Sequence, residues 1–189
     1  MRIILIGIMF LFYSETISAR DLMRLEISGQ VRGLVDIELL EELAPNHVDQ
    51  IKYLVSQKEY DGVVFHRVIE GFMAQSGDVM YGNLYDEFQP TMVGRGGSKL
   101  NDLKAEFSTQ PFDRGMVGMA RSQDPNSANS QFFIMLEDGH FLNGKYTVFG
   151  KVISGMDIVD GIKKGNKENN GMISKNPDFM KQVTIISGD

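Results

Sequence analysis

The residues that stand out chemically are one cation set among large uncharged side chains. They run Phe65-His66-Arg67-Val68, then Phe72-Met73-Ala74-Gln75, then Phe132-Phe133 and Phe141-Leu142. The common catalytic constellations do not accompany them. His47, His66 and His140 show no metal-ligand spacing such as His-x-x-x-His and adjoin no nucleophile motif. The absence of cysteine removes thiolate zinc sites, structural disulfides and a cysteine nucleophile together. Gly94-Arg95-Gly96-Gly97 has neither the strand before it nor the lysine and hydroxyl after it that a phosphate cradle needs, and it reads as a mobile loop. Glu41-Glu42 and Asp86-Glu87 read as solvated surface, so there is no acid–base dyad. These residues imply no metal and no cofactor.

Laid end to end, the apolar strings are similar to those of the cyclophilins. The matching segments are Phe65-His66-Arg67-Val68-Ile69, Gly71-Phe72-Met73 through Gln75 to Gly77-Asp78, and Gly118-Met119-Ala120-Arg121 through Asn129-Ser130-Gln131-Phe132-Phe133-Ile134. Phe141-Leu142-Asn143-Gly144-Lys145 through Val148-Phe149-Gly150-Lys151-Val152 completes the set, in the family's order and over most of the chain from about Met23 onward. The resemblance implies a peptidyl-prolyl cis/trans isomerase. It also implies a groove on the outside of a barrel, lined by Arg67, Phe72, Met73, Gln75, Ala120, Arg121, Phe133, Phe141, Leu142 and Tyr146, with Arg67 and Gln75 as the catalytic pair and the others binding substrate. Phe141 stands where many eukaryotic relatives carry tryptophan and Tyr146 where they carry histidine, both resembling the bacterial type. Arg121 replaces a frequent asparagine, and the segment around Arg95 and Lys99 departs most. Without an indole N–H at position 141, weak cyclosporin binding is expected.

The chemistry such a site would perform follows from the peptide bond itself. Nitrogen donates its lone pair into the carbonyl, and at Xaa-Pro the resulting barrier makes uncatalysed exchange take tens to hundreds of seconds. A catalyst needs neither nucleophile nor metal; it must bind the twisted amide better than either planar isomer. A guanidinium donating to the prolyl nitrogen favours the uncoupled, pyramidal state, and Arg67 has a charge that persists at physiological pH. Phe72, Met73, Phe133 and Leu142 can hold the proline ring while Gln75 orients substrate and arginine. Phe65, Phe132 and Phe149 are expected to pack inside the barrel instead.

The elements that must position these groups are short. Leu22 to Ile27 and Gly33 to Leu39 alternate apolar and polar residues around Ser28-Gly29-Gln30, the pattern of a β-hairpin. Ala44-Pro45-Asn46-His47 opens a helix with Val48, Ile51, Leu54 and Val55 on one face, ending near Gln57. Further strands are expected at 63–69, 72–75, 116–120, 132–136, 147–152 and 183–186, and a short helix over 156–162 with Ser154 as its N-cap. The reading is a mainly β fold, a closed eight-stranded antiparallel barrel capped by two α-helices. The stretch from Gly77 to Gly115 has little periodicity, which in a compact domain points to function; Lys163 to Asn170 reads as a polar, solvated loop.

At 189 residues and 42% hydrophobic, the chain fits one domain. A net charge of -6 disfavours a nucleic-acid surface and adhesion to anionic lipid. Met1-Arg2, the apolar run Ile3 to Tyr13 and the small residue Ala19 before Arg20 have the grammar of a secretory signal, and about 11 apolar residues fall short of the roughly 17 to 25 that span a bilayer. Residues 1–19 are thus expected to be a cleaved signal and 20–189 the isomerase domain. The product would be exported, periplasmic or else in a secretory lumen or secreted, monomeric and without stable membrane insertion, acting on proline-containing polypeptides. A proline-peptide-binding chaperone with incidental turnover is the alternative function, and a hollow small-molecule carrier barrel is disfavoured by the abundance of Phe, Met, Ile and Val.

Overall fold

The computed structural model describes residues 20–188; the leader expected over 1–19 lies outside them. Alternation of side chains produces eight antiparallel strands in one curled sheet with two helices. The strands are β1 (Leu22–Ser28), β2 (Gly33–Leu39), β3 (Arg67–Ile69), β4 (Met73–Ser76), β5 (Met116–Met119), β6 (Phe132–Met135), β7 (Val148–Ser154) and β8 (Phe179–Ile186). Their order across the sheet is β3-β4-β6-β5-β7-β2-β1-β8. The end strands are joined through the residues that lead into β3. Phe65 N donates to Asp178 O at 2.8 Å, Met180 N to Val63 O at 2.9 Å and Gly62 N to Met180 O at 2.7 Å.

Helix α1 (Pro45–Ser56) buries His47, Val48, Ile51, Leu54 and Val55 on a single face and packs on β8 and β7. Its Pro45 occupies the first turn, where a missing N–H costs nothing. The next two backbone N–H groups are met from outside the helix: Glu106 accepts from Asn46 N at 3.2 Å and His47 N at 3.1 Å, and holds His47 Nδ1 at 2.6 Å. Helix α2 (Met156–Gly161) packs on β2. It is not capped by Ser154. Gly155 sits at its N-terminus with φ 85°, and a β-carbon there would run into the Leu34 carbonyl, so close backbone packing rather than a hydroxyl sets this start. Among the described residues, no helix is long and apolar enough to cross a membrane.

Period-two alternation gives the sheet two apolar faces. The inner one carries Met23, Leu25, Ile37, Phe65, Val68, Ala74, Val117, Phe132, Ile134 and Phe149 in a single filled core. The outer one, on β4, β5 and β6, carries Met73, Met116, Phe133 and Met135 with Phe112, Leu142 and Val148 from flanking segments. Phe132 and Phe133 thus belong to opposite sides of one wall. Strand β8 starts four residues earlier than the expected 183, because residues 179–182 pair with Glu26, Ile27 and Ser28 across a bulge that the local pattern does not announce.

Candidate active site

The outer face is where the chemistry gathers. Direct cross-strand pairing sets Arg67 opposite Gln75, Gln75 opposite Phe133 and Phe133 opposite Gly118, one row running across β3, β4, β6 and β5. One row down, Ile69 pairs with Met73 and Met73 with Met135. The register alone therefore delivers a cation, an amide, an aromatic ring and a thioether to neighbouring positions on one face.

All ten residues expected at the site line a single cavity of about 270 Å³. Met73, Phe133 and Leu142 are buried in its floor. Phe72 and Phe141 form one rim with ring centres 5.5 Å apart, and Phe141 is 63% exposed. Ala120, Arg121 and Tyr146 form the opposite side, Tyr146 meeting Phe133 edge-on at 5.8 Å. A space below the ~300–1,000 Å³ of drug-sized sites suits one small ring.

Arg67 is half-buried at the edge of this cavity, where burial lowers the guanidinium pKa; the group remains a cation. Its Nη1 donates to Gln75 Oε1 at 3.1 Å. Gln75 Nε2 donates onward to Gln131 Oε1 at 3.0 Å, and Gln131 Nε2 to the Gly96 carbonyl at 2.7 Å. This chain fixes the orientation of both amides and anchors the arginine to the 94–98 loop. The other edge of Arg67 meets Asn170: Nε donates to its backbone carbonyl at 3.0 Å and Nη2 to its Oδ1 at 2.9 Å. No carboxylate is among these partners, so the charge is oriented without being neutralised.

Gln131 and Asn170 were not singled out by the sequence. Gln131 lies inside a recognised string, and its role shows only once β6 is paired. Asn170 falls in the segment read as a solvated loop; Asn170-Gly171 is a turn signal, but nothing local says what the turn faces. The loop read as mobile is fastened instead: the buried Asp78 accepts from Gly94 N at 2.7 Å and Gly96 N at 2.9 Å through one oxygen, and from Tyr81 N at 2.9 Å through the other. Residues 94–98, Leu100, Asp102, Ser122, Ser127, Asn129 and Gln131 line a second cavity of about 490 Å³, and Gln75, Ala120 and Arg121 border both.

A cation held by neutral amides beside an apolar recess has no group to attack a carbonyl; it can bind a ring and stabilise charge next to it. Residues 22–187 match the family model described as cyclophilin type peptidyl-prolyl cis-trans isomerase. The chain belongs to that family. A probable peptidyl-prolyl cis-trans isomerase of Brucella suis is 59% identical over 171 residues, 90% of this chain and 87% of that protein. A peptidyl-prolyl cis-trans isomerase of Acinetobacter baylyi is 37% identical, covering 82% of this chain and 79% of its own length. Among solved cyclophilins, AquaCyp293 from Hirschia baltica superposes with a TM-score of 0.69 at 28% identity, over 86% of this chain and 73% of that one. A cyclophilin type isomerase of Cryptosporidium parvum, crystallised in the presence of the dipeptide Ala-Pro, gives 0.72 at 26% identity over 88% and 99%. The chain is thus a cyclophilin-type peptidyl-prolyl cis-trans isomerase.

Proposed function

We propose that rotation about Xaa-Pro bonds of exported polypeptides takes place over the Arg67–Gln75–Phe133 row. The proline ring enters the recess floored by Met73, Phe133 and Leu142, which anchors one side of the bond by apolar burial. As the carbonyl on the other side swings, conjugation is lost and the lone pair returns to the prolyl nitrogen. Arg67, carrying an uncompensated charge, donates to that nitrogen and so binds the twisted amide more tightly than either planar isomer. Gln75 holds the guanidinium by one edge and has its own amide fixed by Gln131. Ala120, Arg121, Phe141 and Tyr146 complete the walls against which the flanking peptide lies. The observation that carries this reading is the row itself, since cation, amide and aromatic ring are placed by strand register rather than by flexible loops.

The wider setting is part of the same proposal. The ties between residues 62–65 and 178–180 are read as closing the sheet into a barrel. Residues 1–19 are read as a cleaved leader, which makes the protein periplasmic or otherwise exported, a monomer that assists folding of proline-containing chains. Absence of an indole N–H at Phe141 makes cyclosporin a weak ligand.

NMR exchange on a short Ala-Pro peptide tests the mechanism, comparing wild type with Arg67→Ala. Accelerated exchange that collapses in the variant while peptide binding is retained supports it. Peptide binding without accelerated exchange in the wild type would instead favour a proline-binding chaperone.

A further inference from the structure

The guanidinium of Arg67 is gripped on two sides, and only one grip comes from the barrel. Gln75 supplies the first from the adjacent strand. Asn170 supplies the second from a turn 103 residues further along the chain, and does so with two oxygens of one residue, its main-chain carbonyl and its Oδ1. Two parallel N–H···O bonds along the Nε–Nη2 edge fix the plane of the guanidinium as well as its position.

The backbone that allows this is unusual. Asn170 has φ 53° and is followed by Gly171 at φ 75°. The left-handed region is one that asparagine tolerates better than most residues. The turn is fastened at both ends: Asn170 N donates to Lys167 O at 3.1 Å, and Gly171 N to Asn166 O at 2.9 Å. It is also sewn to β3 beside Arg67, with Val68 N donating to Gly171 O at 2.8 Å and Gly165 N to Val68 O at 3.0 Å. A side chain on Gly171 would collide with Ile69 and with the Val68 carbonyl, so the turn can lie this close only with glycine there. An exposed loop with so much hydrogen bonding to one edge strand does more than connect α2 to β8.

We propose that Asn170 is a positioning residue for the isomerase reaction, one that presents the Arg67 guanidinium to the prolyl nitrogen in a fixed plane with its charge intact. The inference rests on the assignment of Arg67 as the group facing that nitrogen. Of the five N–H donors of Arg67, Asn170 takes two and Gln75 one, and Nη1 also faces the Met73 sulfur at 3.9 Å, which leaves one N–H on Nη2 without a protein partner and free for substrate. Both holding residues are neutral, whereas a carboxylate in either place would orient the arginine and cancel its field. Fixing the donor before the bond begins to turn is what makes electrostatic stabilisation effective in the twisted state.

The test compares Asn170→Gly in the wild-type and Arg67→Lys backgrounds, with Arg67→Ala alongside, in exchange assays on an Ala-Pro peptide. Glycine accepts the left-handed turn and keeps the main-chain carbonyl, so the variant removes Oδ1 alone. It is expected to lower kcat about tenfold, the loss that goes with one charge-assisted hydrogen bond, with KM and Tm unchanged. The Arg67 Nη2–H resonances, whose acceptor is removed, should lose order in the same variant while Nε–H keeps its main-chain partner. In the Arg67→Lys background, where no fork remains to be oriented, the same change should alter kcat less than twofold. Equal losses in both backgrounds, or a loss expressed in KM or Tm, overturn the inference. Collapse in Arg67→Ala with Asn170→Gly fully active overturns it while leaving the role of Arg67 standing. Full activity in Arg67→Ala removes that role and the inference together.

Discussion

The guanidinium of Arg121 lies over the ring of Tyr146, 4.4 Å from its centre. Its N–H groups are taken by main-chain carbonyls, Nε and Nη2 by Lys145 and Nη1 by Ser122 and Gln123. The residue therefore bridges the two loops that flank the recess and presses Tyr146 against Phe133. Where the family often has a shorter asparagine, this chain has a brace. Arg121→Ala should remove a contact of about 0.5–1 kcal/mol and the bridge with it. Peptide affinity, measured by NMR titration, is expected to fall about threefold to tenfold with kcat little changed. Arg121→Lys should recover part of the loss, since it keeps a cation over the ring but cannot span three carbonyls.

Gly118 closes the cross-strand row opposite Phe133. Its role is space. A β-carbon there would lie 2.6 Å from the Phe112 ring and 2.7 Å from Phe133, whose rings stack 5.6 Å apart above it. Gly118→Ala should push Phe133 into the recess, costing about 1–3 kcal/mol of stability as overpacking usually does. Thermal denaturation and the exchange assay together check this: KM should rise at a temperature where the variant remains folded. Unchanged KM would place the recess elsewhere.

The strands are legible because their determinants are local, and the ten recess residues because the strings that hold them resemble those of the cyclophilins. Alternation marks β1 and β2, and Phe132-Phe133 shows two neighbouring rings that must point to opposite sides of one strand. The pieces that escape are long-range. Asp78 and Asp178 are buried carboxylates whose partners are backbone N–H groups, such as Gly94 at 16 residues and Val31 at 147 residues distance. Backbone donors have no sequence signature. Asn170 escapes for a related reason, since its use depends on a left-handed turn placed against a strand 103 residues away.

His66 gives the fold a pH dependence. It is buried directly before Arg67, and burial lowers its pKa to about 4 from the ordinary 6.5. Between those values the unfolded chain binds a proton that the folded chain refuses. Stability must therefore be full above pH 6.5 and decline as pH falls toward 4. At pH 4.5 the loss from this one group is about 2 to 3 kcal/mol. Denaturant titrations at pH 7.5 and 4.5 measure it, and His66→Gln, which cannot titrate, should shrink the difference between the two by that amount. An unchanged difference would mean that His66 accepts its proton without opening the fold.

Phe141 offers the last prediction because it is both exposed and constrained. It sits in a 3-10 turn over residues 140–142 with its ring tilted against Phe72, so its edge is presented at the mouth of the recess. Phe141→Trp can keep that stacking, since the rim is open to solvent and the larger ring meets no wall. The change adds one donor, the indole N–H, at the position where many relatives carry it. On the proposal that an indole donor here strengthens cyclosporin binding, the variant should bind about threefold to tenfold tighter than wild type, the range of one net hydrogen bond. Turnover of an Ala-Pro peptide should stay within about twofold of wild type, because the proposed mechanism assigns the rotating bond to Arg67 and the floor rather than to the rim. Inhibition titrations on the two proteins decide it, and equal affinity would mean that a donor at position 141 does not set cyclosporin affinity in this chain.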